Sequence, residues 1–203
     1  MSESRKKNFS KFNQREAYQK LGIRDTLKWS LGFDPLEPSA FFHERLSRLE
    51  YFDLTLSEKA KELLIDAVFE EVLVHHPRLK IWKGVAIEGQ DTSGVVDYLL
   101  AERKGYLDRP FLCVVEAKKD DFVQGEAQCL VGMQACQWIS SQAEQVINIY
   151  GIVANGDIWV FYELNRNGQV YKTSPYALTN LSDVLGLCHK VFSLCEVALP
   201  VLS

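Results

Sequence analysis

The stretch Gly94-Val-Val-Asp97-Tyr-Leu-Leu-Ala-Glu102, a turn, and then Phe111-Leu-Cys-Val-Val-Glu116-Ala-Lys118 decides the fold. Both runs are short, apolar and rich in β-branched residues, which predicts two strands over 94–102 and 111–118. Gly105 to Pro110 supplies the turn between them. Asp97 interrupts the first run in mid-strand, where an aspartate is disfavoured and needs a compensating partner. Glu116 and Lys118 end the second run. Residues two apart on a strand share a face at roughly 6.5–7 Å, so these two side chains point the same way. If the strands pair as a hairpin, Asp97 can join Glu116 on that face. Two converging carboxylates repel, and one takes up a proton unless a cation intervenes. Mg²⁺ or Mn²⁺, a hard ion held by one or two carboxylates, removes the conflict. A buried ion-pair network with Lys118 is the plain alternative.

A second E-x-K tripeptide, Glu102-Arg103-Lys104, is set aside. It lies where the first strand runs into its turn, so its charges are expected in solvent.

Outward from this pair, Lys80 to Ile87 alternates as a strand. Before it, Thr55-Leu-Ser-Glu58 fits a capping box that starts a helix running to about His76, ahead of Pro77. Ala60, Leu64, Ala67, Val68 and Val74 form its expected buried stripe, with Glu71 near the middle and Glu70 at the edge. A helix is expected over 39–51, and a short one near Gln14 to Leu21. After the second strand, Asp121 caps a long helix to about Glu144, with Leu130, Met133 and Ile139 inward. Ile147 to Ala154 and Ile158 to Leu164 flank Asn155-Gly156-Asp157, a strong hairpin signal. Gln169 to Thr173 is a further short strand, and 180–198 a final helix with a wide apolar face. The order is helix, three strands, helix, then strands and a helix. It predicts a mixed central sheet flanked by helices, an α/β (α+β) fold. The expected division is an N-terminal extension over 1–53 (a basic tail, then a helix), a core over 54–175, and a C-terminal helix over 176–203 on the core or at a dimer interface.

The 203-residue chain is 47% hydrophobic and 25% charged, ordinary for a globular protein. No apolar run approaches the roughly 18 residues that cross a bilayer, so no membrane partner is expected. The polar, basic start shows no secretory signal, which makes the cytoplasm the default location. Five cysteines without a CxxC pair read as buried thiols rather than a zinc site. The four histidines read as structural or surface residues. The net charge of −4 gives no global signature of nucleic-acid binding. Arg5, Lys6, Lys7, Lys11 and Arg15 nevertheless cluster at the start, as a solvated tail or a phosphate-binding arm.

Gly94-Val-Val-Asp97, Val114-Val-Glu116-Ala-Lys118-Lys119 and the Gln-rich helix that follows resemble the PD-(D/E)XK nuclease superfamily. The likeness extends to restriction-endonuclease-like domains, including the N-terminal nuclease region of type I restriction motor subunits. Tyr150-Gly-Ile-Val-Ala-Asn155-Gly156 with Trp159 and Phe161 resembles the strand pair after that core, so the likeness covers about residues 55–175. It implies a restriction-endonuclease-like core and metal-dependent cleavage of nucleic acid, DNA above all, with a homodimer possible. Asp97, Glu116 and the Ala117 carbonyl would ligate Mg²⁺ or Mn²⁺. Lys118 would activate water and stabilise charge on phosphorus. A helix glutamate, Glu71 in preference to Glu70, would join the metal site. Gln128, or Gln124 one turn earlier, would orient lysine or substrate. Lys119 would add a phosphate contact. The family's proline before the aspartate is replaced by Val96. A catalytically inactive nucleic-acid-binding or protein-interaction module on the same fold is the competing expectation.

Overall fold

The computed structural model describes residues 6–118 and 120–200. Arg5 of the basic cluster and Lys119, the implied phosphate contact, lie outside the described residues. The strands are β1 (Lys7–Asn8), β2 (Leu27–Lys28), β3 (Leu79–Glu88), β4 (Thr92–Glu102), β5 (Phe111–Ala117), β6 (Ile149–Ala154), β7 (Ile158–Leu164), β8 (Val170–Lys172) and β9 (Tyr176–Ala177). The helices are α1 (Gln14–Leu21), α2 (Ala40–Leu49), α3 (Glu58–Leu73), α4 (Phe122–Ser141) and α5 (Leu181–Val197). The helices α1 to α5 and the long strands lie, to within a few residues at their ends, where the sequence places them, while a 3-10 turn at Phe9–Lys11 lies outside those expectations.

The fold is mixed α/β, with one mixed sheet ordered β1-β4-β5-β6-β7-β8-β2. β3 flanks β4 and β9 flanks β7. The β3–β4 and β4–β5 pairs are antiparallel, whereas β5–β6 is parallel. A parallel pair needs a crossover, and α4 supplies it. β6 returns to β7 through Asn155-Gly156, where Gly156 takes φ +87° and Asn155 Oδ1 accepts from the amides of Asp157 and Ile158.

Helices cover both faces. Val114 and Val115 are adjacent on β5 and so point to opposite faces. Val114 faces Gly132 of α4, where an added Cβ would lie 3.2 Å from Val114 Cγ1. Val115 pairs with Tyr98, whose ring packs edge-on against Phe69 of α3 at 5.5 Å. Phe69 also meets Phe192 of α5 at 5.7 Å. Val184, Leu185, Cys188, Val191, Phe192 and Cys195 of α5 are buried within the chain, so that apolar face is not left for a second subunit.

Two local expectations need correction. The cap of α3 is Ser57, whose side chain accepts from the Ala60 amide, and not Thr55. Thr55 bonds Asp53 instead, through its amide and its hydroxyl. The buried stripe of α3 runs through Ile65, Ala67, Val68, Phe69 and Val72, while Val74 is exposed.

Residues 6–53 pack on the rest of the chain. Phe9, Phe12 and Ala17 are buried in the same core as the sheet. α1 packs on α4 and α2 on α3. Of the basic cluster there, Lys6 pairs with Glu88 and Lys7 with Glu16. All five cysteines are buried and free, and burial pushes their thiols up. Among the described residues no helix is long and apolar enough to cross a membrane.

Candidate active site

One edge of β4 is shared by two strands. β1 pairs with it at Thr92–Ser93, and β5 pairs with it from Tyr98 to Ala101. Between them the edge is unpaired, and Asp97 lies in that gap. The ladder sums to a constant register (Tyr98↔Val115, Leu99↔Val114), so one further step would set Asp97 opposite Glu116. The strands diverge there instead. Asp97 Oδ2 spans the gap and accepts from the Ala117 amide at 2.7 Å. On the other edge of β4, the residue across from Asp97 is Gly84, between the pairs Lys83↔Tyr98 and Val85↔Val96. Gly84 has φ +62° and no atom within 4 Å of where a Cβ would stand. The aspartate is therefore flanked by open space rather than a side chain.

Glu116 is 1% exposed, and its Oε1 has no hydrogen-bond partner. Burial, followed by the negative charge of Asp97, pushes its carboxyl up to about 8. The two carboxyl groups lie close enough for the charge of Asp97 to act on Glu116. Asp97 is also raised, first by burial and further by the charges of Glu62 and Glu58. The Ala117 amide and Lys118 oppose that rise. Lys118 Nζ stands 3.5 Å from Glu116 Oε2 and is nearly buried. Its chain lies against Gly125 of α4, where an added Cβ would come 2.7 Å from Lys118 Cγ. Without another cation, the pair holds a proton at neutral pH as a coupled unit.

Asp97, Glu116 and Lys118 thus converge, and the peptide of Ala117 bridges them through its amide. Gln128 lies one turn beyond Gly125 on α4, half-buried, and no hydrogen bond joins it to Lys118 among the described residues. Gln124 is turned away, its amide donating to the Ser10 carbonyl at 3.1 Å.

Glu71 is not at this site. It is buried as its helix phase implied, but both its oxygens are taken by Ser39 at the start of α2, from the amide (2.7 Å) and the hydroxyl (2.9 Å). Glu70 pairs with Arg45. Helix phase fixes the side of a helix, not the level along it. Glu71 sits nine residues past Glu62, about 13 Å further along α3. The α3 carboxylates whose charge reaches Asp97 are Glu62 and Glu58. The signal that could have found them is the run Glu58, Glu62, Asp66 at i, i+4 spacing, an acidic stripe on one face. Of the histidines, His76 is buried between Glu196 and His189, near the opposite end of α3 from Glu58, consistent with a structural role.

No group of three or more His, Cys, Asp or Glu side chains arranged to hold a metal ion occurs among the described residues. The pair Asp97–Glu116 therefore offers two carboxylates, with any further ligands coming from main chain or water. No protein-family model matches the chain, and no curated protein is significantly similar to it.

Proposed function

We propose that the chain is a divalent-cation-dependent phosphodiesterase acting on nucleic acid, with DNA the expected substrate and a restriction-endonuclease-like core as its scaffold. The observation that carries this reading is the pairing of half-buried Asp97 with buried Glu116, whose Oε1 is unpartnered, with Lys118 Nζ 3.5 Å from Glu116 Oε2. A strand junction that forces two carboxylates together and leaves one oxygen unsatisfied costs stability unless it serves a charge. The core topology supports it too. α3 precedes three antiparallel strands, and α4 crosses to a strand parallel to β5.

The donor set suits a hard, oxygen-seeking ion such as Mg²⁺ or Mn²⁺, which keeps several waters and needs only one or two carboxylates. Asp97 and Glu116 would hold it, with the Ala117 carbonyl as the expected main-chain ligand. When bound, such an ion polarises a phosphoryl oxygen and makes its water acidic. Lys118 places an ammonium beside the pair. There it can donate to a phosphate oxygen or to the attacking water, stabilising charge as it develops on phosphorus. Packing of its alkyl chain on Gly125 restricts the lysine to that direction.

Purified protein should cut DNA with Mg²⁺ or Mn²⁺ and lose the activity in Asp97→Ala and Lys118→Ala. An inert wild type on duplex, single-stranded, branched and RNA substrates with either ion would overturn the proposal.

A second reading is a non-cleaving nucleic-acid-binding or protein-interaction module on the same fold. It is favoured by the net charge of −4, and among the described residues no three acidic or other ligating side chains gather at one point. Calorimetric titration separates the two, because no divalent-ion binding at millimolar concentration supports the second.

A further inference from the structure

Lys83 pairs with Tyr98 on the β3–β4 ladder, one position from Gly84, which stands across from Asp97 where the pairing is interrupted between Lys83↔Tyr98 and Val85↔Val96. Its Nζ is 3.0 Å from Glu62 Oε2 and 2.9 Å from Asp66 Oδ2 on α3. The same ammonium lies 4.7 Å from the centroid of the Tyr98 ring. The Tyr98 hydroxyl in turn donates to the Glu62 carbonyl at 3.4 Å. Glu62 is thereby fixed beside the strand residue that follows Asp97, with its charge directed at a lysine. That charge also reaches Asp97, beside which two features are unfilled: the space over Gly84, and the buried Glu116 Oε1.

A dication at the Asp97–Glu116 pair and the ammonium of Lys83 would pull Glu62 in opposite directions. The Lys83–Glu62 contact is half-exposed on the lysine side, and such pairs are weak and readily exchanged. Asp66, bound through both oxygens, keeps Lys83 in place when Glu62 leaves.

We propose that Lys83 is a positioning residue that clamps Glu62 on α3 and so holds it back from the Asp97–Glu116 cation site, with release of the clamp making Glu62 a further ligand. This rests on reading that pair as a cation site. The clamp lowers the site's affinity and keeps the acidic residues of α3 from crowding each other while no cation is bound.

Mn²⁺ titration by calorimetry, with melting curves to confirm folding, tests it on the wild type, Lys83→Met, Lys83→Gln, Lys83→Arg, Glu62→Gln and the Glu62→Gln/Lys83→Met double variant. Loss of a unit charge about 10 Å from a dication in a water-like medium changes affinity about fourfold through space alone. The clamp predicts more: Mn²⁺ binds Lys83→Met and Lys83→Gln on the order of tenfold tighter or better, a gain above that through-space figure. Lys83→Arg should match the wild type. The gain beyond the through-space effect should vanish in the double variant, because the released ligand is gone. Unchanged affinity in Lys83→Met, with the wild type binding, overturns the clamp and leaves the cation site standing. A gain equally large in the Glu62→Gln background also overturns it. If no variant takes up Mn²⁺, both the clamp and the cation-site reading fall.

Discussion

Asp97 Oδ2 accepts the Ala117 amide at 2.7 Å, so a side chain closes the sheet where the backbone ladder between β4 and β5 stops. The aspartate therefore has two duties, holding the strand junction and supplying charge. Substitution separates them. Asparagine can still accept that amide through its carbonyl oxygen, so Asp97→Asn should fold with nearly wild-type stability while losing cation binding and cleavage. Asp97→Ala leaves the Ala117 amide unpaired and should cost about 1–3 kcal/mol in addition. Urea denaturation alongside calorimetry measures both. Equal stability of the two variants would mean the amide bond does not hold the junction.

The carboxyl of Glu116 is raised to about 8 from an ordinary 4.5 by burial and by Asp97, and Asp97 shifts the same way. The sign follows from proton linkage. The folded state binds the Glu116 proton more tightly than the unfolded state, so stability is fully present below pH 4.5 and is lost as pH rises to about 8. Cation-free protein should thus melt at progressively lower temperature across that window. Glu116→Gln, which cannot ionise, should flatten the slope and melt above the wild type at pH 8. Mn²⁺ should restore wild-type stability at pH 8 and do nothing for Glu116→Gln. A wild-type profile that rises from pH 5 to 8 would remove Glu116 as the dominant titrating group.

How far the sequence carried this site depends on the kind of signal. Asp97, Glu116 and Lys118 were legible because each breaks or ends an apolar strand, and period-two alternation sets a strand's faces firmly. The hairpin at Asn155-Gly156 and the crossover helix α4 were legible for similar local reasons. The two-residue strands β1, β2 and β9 were not, since pairs that short carry no periodicity. The anchoring of residues 6–53 was also hidden. It depends on contacts distant in sequence, such as Phe9 lying over Gly94, where a Cβ would come within 2.4 Å of its ring. Helix phase puts Glu71 on the buried side of α3, but its partner there is Ser39 at the start of α2, a contact distant in sequence.

Glu71 offers a direct check on that correction. Its carboxylate accepts the Ser39 amide and hydroxyl, so it ties α3 to α2 and complements the positive end of that helix. Glu71→Ala should destabilise the fold by about 1–3 kcal/mol through the unsatisfied Ser39 donors. Affinity for Mn²⁺ should stay within the error of the wild type. A drop in affinity without a drop in melting temperature would return Glu71 to the site.

Gly125 tests whether the direction of Lys118 matters beyond its charge. A methyl group there would sit 2.7 Å from Lys118 Cγ and 2.9 Å from Val153 Cγ1. The lysine chain is flexible and can yield, while Val153 lies on the central strand β6 and yields less. Alanine is a better helix former than glycine by roughly 0.5–1 kcal/mol, which offsets part of the steric cost. Gly125→Ala should therefore fold with modest loss of stability, and Lys118 should be pushed off its place beside Glu116. The expected signature is a fall in kcat of about tenfold or more, as small displacements of a positioned group are costly. Mn²⁺ affinity should be little changed, since Asp97 and Glu116 do not touch the added methyl. If cleavage persists at the wild-type rate while Lys118→Ala is inactive, the lysine needs only its charge in the vicinity and not the direction that α4 imposes.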